Sequence, residues 1–193
     1  MIEHDWKEAA SPCPFEARQL MAHYRGRHEP VTFQPPPWCR DNAPGEANCY
    51  TDGSLQHQGR FSLAGAAVWW PGCQETAPIA QLESHLSVSE HLDEPLGRRQ
   101  VVHLPGLGSS STRAELAAGL IALAHTGPVH MATDSQSFMD KATAVQGVAL
   151  AGTQPKRAWL SQRDGDLWAM YHTFLTHKTL RQFVLQRSKH MQT

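Results

Sequence analysis

The chain has few cysteines, and their spacing suits no metal. Cys13, Cys39, Cys49 and Cys73 form no CxxC pair, and none joins a Cys/His cluster at zinc-ligand spacing. That excludes a zinc finger or ribbon. Four scattered thiols behind an N-terminus with no apolar leader lead us to expect a reducing, intracellular compartment, cytoplasm or nucleus. The twelve histidines are dispersed and make no HExxH pair, which excludes a helix-borne zinc protease site. No apolar run approaches the length of a membrane span, so no membrane partner is expected. Charge of one sign is also lacking: the formal net charge is −1, and the chain as a whole does not announce a nucleic-acid binder.

What is present is unevenly distributed. Residues 141–193 hold eight Lys/Arg against two acids, whereas residues 1–140 hold nine against sixteen. A basic C-terminal third attracts phosphate backbone, although a solvated helix face has the same composition. With 193 residues, 40% of them hydrophobic, one domain with a terminal extension is expected. Residues 1–46 carry Pro12, Pro14, Pro30 and the Pro35-Pro36-Pro37 run. They read as an irregular N-terminal arm or linker, with a short helix over Phe15 to Tyr24.

The character changes at Ala47. Asn48 to Asp52 reads as a strand, Gln56 to Gly59 as a turn, and Ser62 to Trp70 as a strand ended by Pro71-Gly72. Thr76 to Ala80 would add a third strand to an antiparallel meander. Residues 81–108 lack periodicity and read as an inserted loop, with one more strand near Val101 to Leu104. From Thr112, the leucines at 116, 120 and 123 recur at helical spacing, and Gly127-Pro128 stops the helix. Val129 to Thr133 reads as a strand, Ser135 to Val145 as a helix, and 146–163 as a loop or short helix. Asp166 to His177 forms a further helix with Leu167, Met170 and Phe174 on one face. Leu180 to Gln186 is the last strand. This order predicts an α/β protein, a mixed sheet with helices on its faces.

Three acids stand at informative places, each with a plain structural alternative. Asp52-Gly53 is a common turn pair. Thr112-x-x-Glu115 has the form of a capping box. Asp134 and Ser135 stand between a strand and a helix, where either caps. Together they suggest something else. Clustered carboxylates repel one another and raise their own pKa values unless a cation neutralises them. Three of them from three segments make a site for a hard divalent cation.

The ordered set Tyr50-Thr-Asp-Gly-Ser54, Ala64-Gly-Ala-Ala-Val68, Thr112-Arg-Ala-Glu-Leu116, Ala132-Thr-Asp-Ser-Gln136 and Asp164-Gly-Asp-Leu-Trp168 resembles type 1 ribonuclease H domains. The resemblance covers residues 47–193 and implies an RNase H-like fold, a five-stranded mixed sheet with helices on both faces. It implies cleavage of the RNA strand of RNA/DNA hybrids with two Mg²⁺ ions held by four carboxylates, Mn²⁺ being the substitute. On that likeness Asp52, Glu115 and Asp134 are metal ligands and catalytic residues. Ser54, Ser111, Thr112 and Gln136 would contact substrate, and His190 would match the family's catalytic loop histidine. Three departures stand out. The fourth carboxylate would follow the last strand, so the chain is expected to be truncated at its C-terminal end, as a monomeric domain or part of a retroelement polyprotein. Ser111-Thr112 replaces an Asn-Gln type pair that reads the hybrid. The 81–108 insertion lengthens the path between the first two acids. Asp164 and Asp166 are read as helix-capping residues. A non-catalytic nucleic-acid-binding module of a reverse-transcriptase-type polyprotein is the alternative. A transposase-like three-acid enzyme is a third, which the early position of the Glu fits less well.

Overall fold

The computed structural model describes residues 41–58, 61–79, 81–104, 110–178 and 182–188. The expected arm lies almost wholly outside them. The described elements run β1 (Cys49–Gln58), β2 (Phe61–Pro71), α1 (Gln81–Leu86), β3 (Val88–Asp93), β4 (Leu96–Leu104), α2 (Ser111–Ala124), β5 (Val129–Thr133), α3 (Gln136–Leu150), a 3₁₀ turn (Trp159–Ser161), α4 (Gly165–His177) and β6 (Phe183–Arg187). They build one six-stranded sheet in the order β3-β4-β2-β1-β5-β6. β1 pairs antiparallel with β2 and parallel with β5, and β6 pairs parallel with β5. The α/β class and the mixed sheet are as expected. No described helix is long and apolar enough to cross a membrane.

Six strands, not five, follow from a correction. Residues 81–104 are not a loop with one short strand: the strand expected near Val101 to Leu104 is present as the end of a longer β4. They form α1 and the β3-β4 hairpin, and β4 rather than 76–80 is the third strand of the meander. Residues 75–77 form a turn instead. The missed pattern is visible in β4, where Arg98 and Gln100 alternate inward with Val102. A buried polar pair hides the apolar period of two on which strand recognition rests. β1 is also longer than expected, so Asp52 lies within a strand and not in a turn.

The sheet buries one face through alternation. In β2, Ala64, Ala66, Val68 and Trp70 are buried, while Leu63, Gly65, Ala67 and Trp69 point the other way and are exposed or half-buried. α2 lies on the buried face and contacts β1, β2 and β5. Every residue from Ala114 to Ala124 is buried, so this stretch is buried all round and, Glu115 apart, apolar on every side and not on one stripe only, as a central helix must be. α3 and α4 close over it. Phe138, Trp168, Tyr171 and Phe174 share its core, with the Phe138 and Trp168 rings stacked at 6.1 Å between centroids. Leu167 and Met170 pack against that core half-buried. The described helices therefore share one core with the sheet.

Candidate metal centre

The three sequence-selected acids come from three elements. Asp52 stands in the middle of β1, opposite Ala67 of β2. Glu115 stands in the first turns of α2. Asp134 follows the last residue of β5. One carboxylate oxygen from each lies within 4.8 Å of the other two.

Each acid is free for this because its structural alternative is taken by another residue. The N-cap of α2 is Ser110, whose Oγ accepts from the Arg113 backbone N–H at 3.0 Å. Thr112 is inside the helix, so no capping box holds Glu115. The N-cap of α3 is Ser135, whose Oγ accepts from the Phe138 N–H at 3.4 Å, which leaves Asp134 uncommitted. In both helices a serine hydroxyl satisfies the orphan amide that the acid would otherwise cap.

Gly53 permits the convergence, and sequence reasoning missed its role. α2 crosses β1 so closely that a Cβ on Gly53 would lie 2.5 Å from the Ala114 carbonyl carbon and nearer still to the Glu115 amide nitrogen. The Gly53 backbone N–H donates to the Glu115 carboxyl. The signal in the sequence was the Asp-Gly pair itself, read there as a turn.

Glu115 is buried, whereas Asp52 and Asp134 are exposed. Its Oε2 has no hydrogen-bond partner among the described residues. Burial pushes its pKa up to about 8, helped by the negative charges of Asp52 and Asp134 and opposed by the Gly53 N–H. An orphaned buried oxygen in an all-carboxylate set fits a hard divalent cation, which takes oxygen ligands and cancels the repulsion.

That shift has a consequence for stability. Glu115 ordinarily loses its proton near 4.5, yet keeps it to about 8 in the folded chain. Between those values the folded state binds more protons than the unfolded one, so stability falls as pH rises through that window and levels off above it. Urea midpoints measured without divalent cations should show this decline. Glu115→Gln should flatten it, and so should Mg²⁺, which replaces the proton. A decline of equal slope in Glu115→Gln would assign it to other groups.

The ends of α2 and α4 are tied beside this site. Arg113 Nη1 and Nη2 donate to the Asp166 carboxylate at 2.9 and 2.6 Å, and Nη1 reaches Asp164 at 3.3 Å. The fork holds the Asp166 carboxyl below its usual range. Asp164, at φ 54°, takes the N-cap position of α4 but makes no cap hydrogen bond with its side chain, whereas the Asp166 carboxylate accepts from its own and the Leu167 backbone N–H in the first turn. Asp166 is more than half exposed, so the pair contributes about 1 kcal/mol or less.

The expected substrate residues are scattered. Ser54 shares a groove of about 170 Å³ with Asp52 on the open face of the sheet. Ser111 is exposed and Thr112 half-buried at the start of α2. Gln136 is exposed and donates to Asp140 Oδ1 at 2.6 Å within α3, which turns it along its own helix. His190 lies outside the described residues.

Fold and site together define a mixed α/β protein with a three-carboxylate candidate metal centre. No protein-family model matches the chain, and no curated protein matches it. Among solved structures, it is similar to a foamy viral protease-reverse transcriptase in complex with dsDNA, at 15% identity and a TM-score of 0.49, over 72% of this chain and 79% of that one. It is also similar to a foamy viral protease-reverse transcriptase in complex with RNA/DNA hybrid, at 15% identity and a TM-score of 0.44, over 72% of this chain and 17% of that one. At such values the chemistry of the chain rests on its own residues.

Proposed function

We propose that the chain is a divalent-metal-dependent nuclease that hydrolyses the RNA strand of RNA/DNA hybrids. The observation that carries this is the convergence of Asp52, Glu115 and Asp134 within 4.8 Å, at positions whose motifs resemble ribonuclease H. Asp52, Glu115 and Asp134 would hold Mg²⁺. When bound, Mg²⁺ supplies Lewis-acid activation of a water and neutralises charge at the phosphodiester.

The chain's own residues then do the rest. Asp52 pairs with Ala67 of β2 and directly follows Thr51, which pairs with Thr133 at the end of β5, so its carboxylate is presented from a strand fixed in the sheet. Glu115 is held by a buried helix and Asp134 by the β5-α3 junction. Lys141, Lys156 and Arg157 line a groove of about 260 Å³ with Trp159 and Gln162, and would hold backbone phosphates in a salt-sensitive way. His190 would move a proton near neutral pH, a role that rests on the resemblance alone.

The test is cleavage of a labelled hybrid beside duplex DNA and duplex RNA, with Mg²⁺, Mn²⁺ or a chelator. The described residues bring three carboxylates to the cluster, where the resemblance implies four. Mg²⁺ demands near-octahedral geometry and parts with water reluctantly. Mn²⁺ should therefore support faster cleavage than Mg²⁺, by about tenfold, or about 1.4 kcal/mol of barrier. Equal rates would mean that the three-acid set suffices for Mg²⁺. A cluster of three carboxylates among the described residues also suits the non-catalytic module, and hybrid binding with no cleavage by either metal would replace the nuclease with it.

A further inference from the structure

A second cavity, of about 390 Å³, opens where β1 begins and β2 ends, at the C-terminal end of α2. Glu115 is at the other end of that helix. Ten residues separate it from His125, about 15 Å at 1.5 Å per residue. Asn48, Trp70, Cys73, Arg98, His125 and Thr126 are among the residues of its wall.

Arg98 is the unusual member. It lies on β4 opposite Trp70 of β2 and is only 4% exposed. Its Nη2 donates to Glu83 Oε1 at 3.4 Å. Its Nε and Nη1 are buried and have no hydrogen-bond partner among the described residues. A guanidinium has no acceptor and does not lose its proton, so these groups need an acceptor from outside. Leaving a buried charged donor unpaired is costly. The neighbours do not provide one. The Trp70 Nε1 donates to Gln100 Oε1 at 2.6 Å. The Asn48 side chain accepts from the His130 N–H and donates to the Pro128 carbonyl. His125 Nδ1 is 3.2 Å from the same Glu83 oxygen that Arg98 uses.

The wall also has a flat, apolar part. The Trp70 and His125 ring centroids are 4.5 Å apart, and the Arg98 guanidinium lies 6.0 Å from the centre of the Trp70 ring. Pro71, Ala77 and Pro78 complete the opening. We propose that this cavity binds a small organic anion, an acidic oxygen group on a flat apolar body. The oxygens accept from Arg98, and the body lies against Trp70 and the prolines. Carboxylates and phosphate monoesters share this chemistry. The volume is within the range of small-molecule pockets.

Cys73 is a half-buried thiol in the wall, so its alkylation by iodoacetamide, followed by peptide mass spectrometry on the full chain, reports occupancy independently of any nuclease activity. The probes are benzoate, phenyl phosphate and the neutral benzamide, each at about 10 mM, for affinities in the millimolar range. Benzoate or phenyl phosphate should slow Cys73 labelling at least about threefold, as expected when ligand exceeds its Kd about twofold. The more protective of the two identifies the acidic group. Benzamide should leave the rate unchanged. Arg98→Gln should abolish protection but removes the cation beside buried Glu83, so Ala77→Phe, which fills the opening without touching the ion pair, is the second variant and should abolish it too. The proposal is overturned if neither anion protects, if benzamide protects equally, or if Ala77→Phe leaves protection intact.

Discussion

Asp52→Asn should reduce hybrid cleavage by at least about a thousandfold, roughly 4 kcal/mol of barrier, and leave the fold intact. The carboxylate is exposed and in the middle of β1, and its oxygen is within 4.8 Å of those of Glu115 and Asp134. The amide has the same shape and keeps an acceptor oxygen, but it removes the negative charge that would hold a cation. It also removes one of the two charges that raise the Glu115 pKa. The Asp52→Asn variant should therefore keep Glu115 ionised to lower pH and lose part of its stability decline between about pH 4.5 and 8. Cleavage of a labelled hybrid with Mg²⁺ and with Mn²⁺ measures the first effect, and urea midpoints measure the second. Parent-level cleavage would remove the catalytic role of the cluster. A loss of cleavage accompanied by unfolding would show that Asp52 also has a structural role.

Gly53→Ala should destabilise the chain by about 2–4 kcal/mol, an overpacking cost at the upper end because the obstacle is backbone. A flexible side chain could swing away from a new methyl group. The Ala114 carbonyl carbon, 2.5 Å away, belongs to a helix buried on every side and cannot. α2 must lift from β1, and it carries Glu115 with it, so cleavage should fall beyond what the loss of stability explains. Gly65→Ala is the control. It lies on the neighbouring strand, where an added Cβ meets only Ser54 Oγ at 3.4 Å and Val102 O at 3.7 Å, so its cost should stay below about 0.5 kcal/mol. Denaturant titration of the two variants beside the parent gives the comparison. Equal stabilities for both would mean that α2 and β1 are not in close contact.

The acids were legible early because their chemistry is local. A carboxylate next to Gly in a β-rich stretch, another in the first turn of a leucine-periodic helix and a third after Val129 to Thr133 are visible one segment at a time. Their structural alternatives were equally local, and sequence alone left them open. The caps were settled by geometry. Ser110 and Ser135 take the orphan amides of α2 and α3, and a hydroxyl two residues away is not distinguished by spacing from the threonine first taken as the cap. The β3-β4 hairpin was hidden for a related reason. Arg98 and Gln100 face inward in β4, partnered with Glu83 and Trp70 across the fold, and a pattern that reads polar as exposed cannot see partners that are distant in sequence.

The sequence by itself determined the α/β class, the three acids and the two main helices, because each depends on residue type at short spacing. Only the tertiary structure decided that those acids meet. Their approach depends on a missing methyl group at Gly53, against a helix more than fifty residues away, and on that helix being buried all round, and both are properties of contact between segments. The same holds for Arg98, an ordinary basic residue in the sequence. Burial beside Glu83 leaves two of its donors without a hydrogen-bond partner among the described residues, in a side chain that lines a cavity.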